Sequence, residues 1–174
     1  MESSKKNKAA FSAYEWAENI LFSVAVVMLL FTFVVKTYIV DGSSMVPTLL
    51  SGDRVFAQSL FYTPAQGDVV IIDNNNSLRE PLVKRVVATA GQTVDFDPAT
   101  GVVLVDGAVF DAPIATTADN LRGDQVYPLT VPEGFIFVMG DNRGASLDSR
   151  YTELGFIDAR SVLGKEFYAL KTGR

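Results

Sequence analysis

The apolar positions of this chain change character near residue 40. Asn19 to Val35 is a run of seventeen residues without a charge, and Ile20-Leu21-Phe22-Ser23-Val24-Ala25-Val26-Val27-Met28-Leu29-Leu30-Phe31 within it is almost wholly apolar. A segment apolar on every side predicts a helix in a nonpolar medium. With Lys36 snorkelling and Tyr38, Ile39 and Val40 prolonging the apolar surface, it reaches roughly the 30 Å of hydrocarbon that a span requires. One uncleaved transmembrane helix is expected over 18–40, after an N-terminal segment 1–17. A cleaved secretory leader would end at a small-x-small site, and the small cluster downstream is Gly42-Ser43-Ser44.

Beyond residue 40 the pattern turns to short β-rich runs separated by Gly, Pro, Asn and Asp. Strands are predicted at Arg54–Gln58, Asp68–Asp73, Leu82–Ala88, Val102–Val105, Ala108–Phe110, Phe135–Met139 and Ser161–Leu170. Asp106-Gly107 predicts a two-residue hairpin turn of type I′, because both residues tolerate positive φ. Polar Thr, Asp, Asn and Gln interrupt the strands over 94–132, which predicts a smaller β subdomain inserted into a domain spanning 41–174.

At 174 residues and 48% hydrophobic content, there is material for one core and a short appendage. Lys5, Lys6 and Lys8 ahead of the apolar run favour an N-terminus that stays in the cytoplasm, with the rest outside. From Asp41 onward eleven Lys and Arg face seventeen Asp and Glu, so the outer part is acidic by six charges. Such a surface has no basic stripe, and nucleic acid is a poor partner for it.

The sequence contains no histidine and no cysteine. That excludes a Ser-His-Asp triad, a thiolate nucleophile and a zinc site of the usual nitrogen and sulfur type. A hydrolase built from these residues needs lysine or a carboxylate as its base. Ser44 lies in Gly42-Ser43-Ser44-Met45-Val46-Pro47-Thr48-Leu49, and Lys84 lies in Leu82-Val83-Lys84-Arg85-Val86-Val87. Strand alternation puts Lys84 on one face with Leu82, Val86 and Ala88. Apolar surroundings disfavour the ammonium form, and only the neutral amine can take a proton. By themselves, Gly-Ser-Ser reads as a turn and a strand lysine as an edge guard.

Taken with Gly52-Asp53-Arg54-Val55 and Gly140-Asp141-Asn142-Arg143-Gly144-Ala145-Ser146-Leu147-Asp148-Ser149-Arg150, these segments resemble the bacterial type I signal peptidases. These are membrane-bound serine proteases that use a Ser/Lys dyad. The resemblance covers most of the chain after residue 35. It implies a signal-peptidase-like, mainly antiparallel β domain on one N-terminal membrane helix, anchored in the bacterial cytoplasmic membrane and acting outside it. It implies Ser44 as nucleophile, Lys84 as general base and Ser146 as the group orienting the amine. Substrates would be preproteins carrying signal peptides, cut after Ala-x-Ala-type sites by a monomer needing no metal or organic cofactor.

Gly42 stands where some members carry a hydroxyl that helps bind the oxyanion, as in the Gram-positive-type branch. The Ser44 backbone N–H must then carry more of that task. A free carboxylate near Lys84 would keep it protonated, so Asp141 and Asp148 are expected to be neutralised by Arg85, Arg143 and Arg150. Met45, Val46, Leu82 and Val86 are candidate substrate contacts, and the aromatic stretch Phe56, Leu60, Phe61 and Tyr62 could meet the bilayer. Two other readings fit parts of the pattern: a self-cleaving repressor-type Ser/Lys protease, and a membrane-tethered β-rich binding module without catalysis.

Overall fold

The computed structural model describes residues 2–97, 99–112 and 123–172, with helix side chains described from residue 14 onward except 30 and 33. The elements are α1 (Glu2–Val34), β1 (Val35–Ile39), β2 (Arg54–Gln58), β3 (Val69–Ile72), β4 (Leu82–Thr89), β5 (Thr93–Phe96), β6 (Val103–Val105), β7 (Ala108–Val109), β8 (Leu129–Thr130), β9 (Phe135–Met139), β10 (Ile157–Asp158) and β11 (Val162–Leu170). The chain divides into two units, 1–35 and 36–174.

The first unit is α1. The helix expected over 18–40 begins earlier, at Glu2, and stops at Val34, where β-branched Val34, Val35 and Thr37 mark the passage into strand. Val and Thr lose side-chain freedom in a helix and fit a pleated sheet, and β1 finds a partner in β2. The uncharged helical part, Asn19–Val34, therefore rises roughly 24 Å, short of the hydrocarbon thickness of about 30 Å. Among the described residues no helix is long and apolar enough to cross a membrane. The side chains of Lys5, Lys6 and Lys8, on which the expected orientation rests, lie outside the described ones.

In the second unit, seven strands form one sheet in the order β1-β2-β11-β3-β4-β9-β10. The pairings of β2 with β11, β11 with β3, β3 with β4, β4 with β9 and β9 with β10 are antiparallel. Central β3, Val-Val-Ile-Ile, is buried at all four positions, as a strand covered on both faces requires. A second sheet, ordered β7-β6-β5-β8, is formed between β4 and β9 in the chain. Residues 113–122, inside the expected 94–132 insertion, lie outside the described residues. The β6–β7 turn has φ of 52° at Asp106 and 80° at Gly107, with Val105 opposite Ala108, which is the I′ geometry.

Two core clusters position the site. Met45, Leu49, Val55, Ala57, Val69 and Ile71 pack on one side, while Val70, Ile72, Val86, Ile136 and Val138 pack on the other. Val87, Ala88, Phe137 and Met139 belong to a third cluster shared with the second sheet. The register of β4 against β9 shifts between Val86 and Ala88, so Ala88 leaves the face that strict alternation assigns it.

Candidate active site

Ser44 lies in the loop between β1 and β2. Backbone bonds from Val40 N–H to Asp53 O at 2.9 Å and from Gly52 N–H to Val40 O at 2.8 Å close the loop's neck. Asp53, fully buried, accepts from the N–H groups of Leu50 and Thr172, each at 2.9 Å. Met45 and Leu49, 1% and 2% exposed, plug the loop into the core. Gly42 enters it at a φ of 89°, a conformation that favours glycine.

From the far end of the chain a second segment locks onto this loop. Asn142 N–H donates to Ser44 O at 2.9 Å and Asn142 Nδ2 donates to Ser43 O at 3.1 Å. Thr48 Oγ1 donates to Asp141 Oδ2 at 2.5 Å. Gly140 packs so tightly that a Cβ on it would meet Ser44 O at 2.5 Å and also strike the Ser146 side chain. Gly140→Ala is therefore expected to lower stability by about 1–3 kcal/mol through overpacking and to displace the Ser44 segment. Thermal melts and peptide cleavage on the same preparation check this; a variant with unchanged melting and turnover would refute it.

Lys84 is the third residue of β4, opposite Val70 on β3, and only 4% of it is exposed. Burial pushes its amine below the usual lysine value; Asp148 works against that shift and Arg150 works with it. Among the described residues Lys84 makes no ion pair. Ser44 and Lys84 line one cavity of about 440 Å³, together with Tyr38, Ile39, Asp41, Ile71, Glu80, Pro81, Leu82 and Val83.

Two carboxylates of the 140–150 segment, Asp141 and Asp148, are held by arginine. Arg85 grips Asp141 with two bonds, Nε to Oδ1 at 2.7 Å and a terminal nitrogen to Oδ2 at 2.6 Å, and gives a third at 2.8 Å to Gly67 O. Arg150 grips Asp148 at 2.8 and 3.0 Å and donates to Arg143 O at 2.7 Å. Asp148 in turn accepts from Gly140 N–H at 3.0 Å. Arg143 feels Asp148 and Asp141 electrostatically, both raising its pKa, but at longer range than Arg85 and Arg150 do. It makes no ion pair among the described residues; its Nε donates to Gly140 O at 3.2 Å and one terminal nitrogen is buried without a partner. Burial, with Arg150 nearby, lowers its guanidinium to about 10.

Several expected roles change with these positions. Ser146 is buried, but its Oγ has no hydrogen-bond partner, so the expected bond to the lysine amine is not formed. Met45 and Val86 are core residues in separate clusters and do not line the cavity; Leu82 lines it, and Val46 is half-buried elsewhere. Phe56 packs on Tyr168 with ring centroids 5.9 Å apart, Tyr62 donates to Asp68 at 2.7 Å, and Phe61 is 96% exposed. Sequence reasoning missed Tyr38, Asp41, Glu80, Asn142 and the close approach at Gly140. Tyr38 was concealed because its apolar run reads as the end of a helix.

Ser44 and a buried Lys84 that makes no ion pair among the described residues thus line one cavity in a chain without histidine. A sequence profile of the family described as signal peptidase, peptidase S26, matches residues 13–170. Signal peptidase I of Bacillus licheniformis is 35% identical over 94% of this chain and 91% of its own length, and that of Bacillus amyloliquefaciens is 36% identical over 94% and 87%. A crystal structure of a signal peptidase I from Enterococcus faecalis V583 aligns with a TM-score of 0.47 and 28% identity, covering 60% of this chain and 97% of that one. The chain belongs to the signal peptidase family, peptidase S26, of the bacterial type I kind, and is a serine-type peptidase.

Proposed function

We propose that this chain removes N-terminal signal peptides from exported preproteins, cutting after Ala-x-Ala-type sites. The observation that carries the reading is Lys84: 4% exposed, without an ion pair among the described residues, its ammonium disfavoured by burial, on the cavity that Ser44 also lines. In the first half-reaction neutral Lys84 takes the hydroxyl proton as Ser44 Oγ bonds to the scissile carbonyl carbon. The resulting ammonium gives its proton to the departing amine as the carbon–nitrogen bond breaks. Water then attacks the acyl-serine, losing its proton to Lys84, which returns it to Ser44 Oγ as the bond from the acyl carbon to Oγ breaks and the carboxyl product departs. Arg150 serves by keeping Asp148 from capturing the ammonium.

Substrate would lie extended beside the enzyme's own strands, its main chain hydrogen-bonded and its small side chains in shallow pockets. The test is a synthetic preprotein with alanine at the first and third positions before the cut, its products located by mass spectrometry. Cleavage by purified full-length protein at that bond is expected, with loss of at least ~10²-fold when the adjoining alanine becomes phenylalanine, since overpacking a fitted pocket costs a few kcal/mol. Equal cleavage of both substrates would overturn the specificity.

The reading places α1 in the cytoplasmic membrane, with its N-terminal end inward and the β unit outward. Leu21, Phe22, Met28, Leu29 and Phe31 are each more than 60% exposed, an apolar surface that suits lipid better than water. Local bilayer thinning and snorkelling of Lys36 accommodate a helix a few Å too short. Protease added to intact cells is expected to digest the β unit and spare an N-terminal tag. Loss of both would contradict this topology.

A further inference from the structure

We propose that Asn142 is a positioning residue that orients and strengthens the Ser44 backbone N–H as the oxyanion donor, acting through the carbonyl of the same peptide unit. This rests on the reading of Ser44 as nucleophile. The Ser43 carbonyl and the Ser44 N–H belong to one planar unit, and the bond between them is not among the cis peptides of the chain. In a trans peptide the two point in opposite directions, so whatever fixes the oxygen fixes the hydrogen.

The oxygen is fixed twice. Asn142 Nδ2 donates to it at 3.1 Å and Val46 N–H donates at 3.2 Å, which uses both lone pairs and prevents the unit from swivelling. A second bond, Asn142 N–H to Ser44 O at 2.9 Å, restrains the next unit. Among the described residues the Ser44 N–H itself has no hydrogen-bond partner, so it is free to donate. Bonds accepted by the carbonyl also polarise the amide and make its N–H a better donor. Gly42 offers no hydroxyl to share the task.

The placement of Asn142 points the same way. It stands at the start of the short 3₁₀ turn Arg143–Ala145, where asparagine is among the strongest caps, yet its side chain makes no capping bond. It reaches instead across the fold to a residue 99 positions away in the sequence.

The test compares wild type with Asn142→Ala and the similarly branched Asn142→Leu, as full-length proteins in detergent, on an Ala-x-Ala peptide. Both variants are expected to lose kcat by about 10- to 50-fold, less than the 10²–10³ that follows outright removal of an oxyanion donor, with KM within about twofold. The midpoint of the pH profile of kcat/KM should not move, because the surroundings of Lys84 are untouched. Affinity for a peptide aldehyde, which forms a tetrahedral adduct on a serine hydroxyl, should fall by the same factor as kcat/KM. A kcat within about twofold of wild type, or a shifted pH midpoint, overturns the proposal, and so does unfolding of both variants, which would make Asn142 a framework residue. If the underlying reading is at fault, Ser44→Ala still cleaves at the same bond. If only this inference is at fault, Ser44→Ala is inactive while Asn142→Ala turns over normally.

Discussion

Lys84→Met is expected to abolish cleavage, with kcat falling on the order of 10⁴-fold or more, while the melting temperature rises. The two effects have one cause. A buried amine with a lowered pKa is useful because it gives up its proton more readily, and it is costly because burial disfavours its charge. A cationic group whose folded pKa lies below its unfolded value binds fewer protons folded than unfolded between those two values. Stability therefore climbs with pH across that window, and Lys84 weakens the fold at every pH below the usual lysine value of about 10.4. Methionine fills similar volume with no charge to desolvate, so it removes the cost along with the base. Loss of a general base accounts for about 10²–10⁴-fold, and loss of a partner that acts with the nucleophile as a unit for more. Lys84→Arg should be equally inactive, because a guanidinium does not give up its proton near neutral pH. In wild type, kcat/KM should rise with pH through the depressed pKa of the amine. Turnover by Lys84→Met close to that of wild type would show that the amine is not the base, and a melting temperature well below wild type would show that burying it carries no cost.

What the sequence made legible was local. The strand at Arg54–Gln58, the strand at Phe135–Met139 and the Asp106-Gly107 turn follow from alternation, β-branched residues and turn chemistry, which operate over a few positions. The four motif segments were legible too, as long patterns. What joins them was not. The bonds from Asn142 to Ser43 and Ser44 connect residues about a hundred positions apart, and no local rule anticipates them. The end of α1 was misplaced because Val34 to Val40 is apolar enough for a helix and β-branched enough for a strand; pairing with β2 decides it. Leu82, Lys84 and Val86 alternate as expected, but the register shift beyond Val86 defeats period-two reasoning at Ala88. Arg143 differs from Arg85 and Arg150 only in its surroundings, and a motif does not state which arginine faces which carboxylate.

Arg150→Met is the second change with a large expected effect, and it acts on the frame and the amine together. Arg150 and Asp148 are both fully buried. Besides its two bonds to Asp148, the guanidinium donates to Arg143 O at 2.7 Å and to Ser146 O at 3.3 Å, tying the ends of the 143–150 loop together. Removing it strands a carboxylate in the interior with Gly140 N–H as a remaining donor at 3.0 Å. Breaking a buried pair from one side costs about 3–5 kcal/mol, a large share of the roughly 5–15 kcal/mol that holds a domain together. The double variant Asp148→Leu/Arg150→Met should recover much of that loss, because no lone charge remains. The catalytic consequence has a definite sign. Asp148 raises the pKa of Lys84 and Arg150 lowers it, so deleting the arginine leaves the raising influence unopposed. The pH profile of kcat/KM in Arg150→Met should move to higher pH, and activity near neutrality should fall further than the folded fraction does. Chemical denaturation and pH–rate profiles on the two variants separate these contributions. A single variant as stable as wild type would show that the pair is not the strut inferred from its burial; a profile that stays put would mean that Asp148 does not act on the amine.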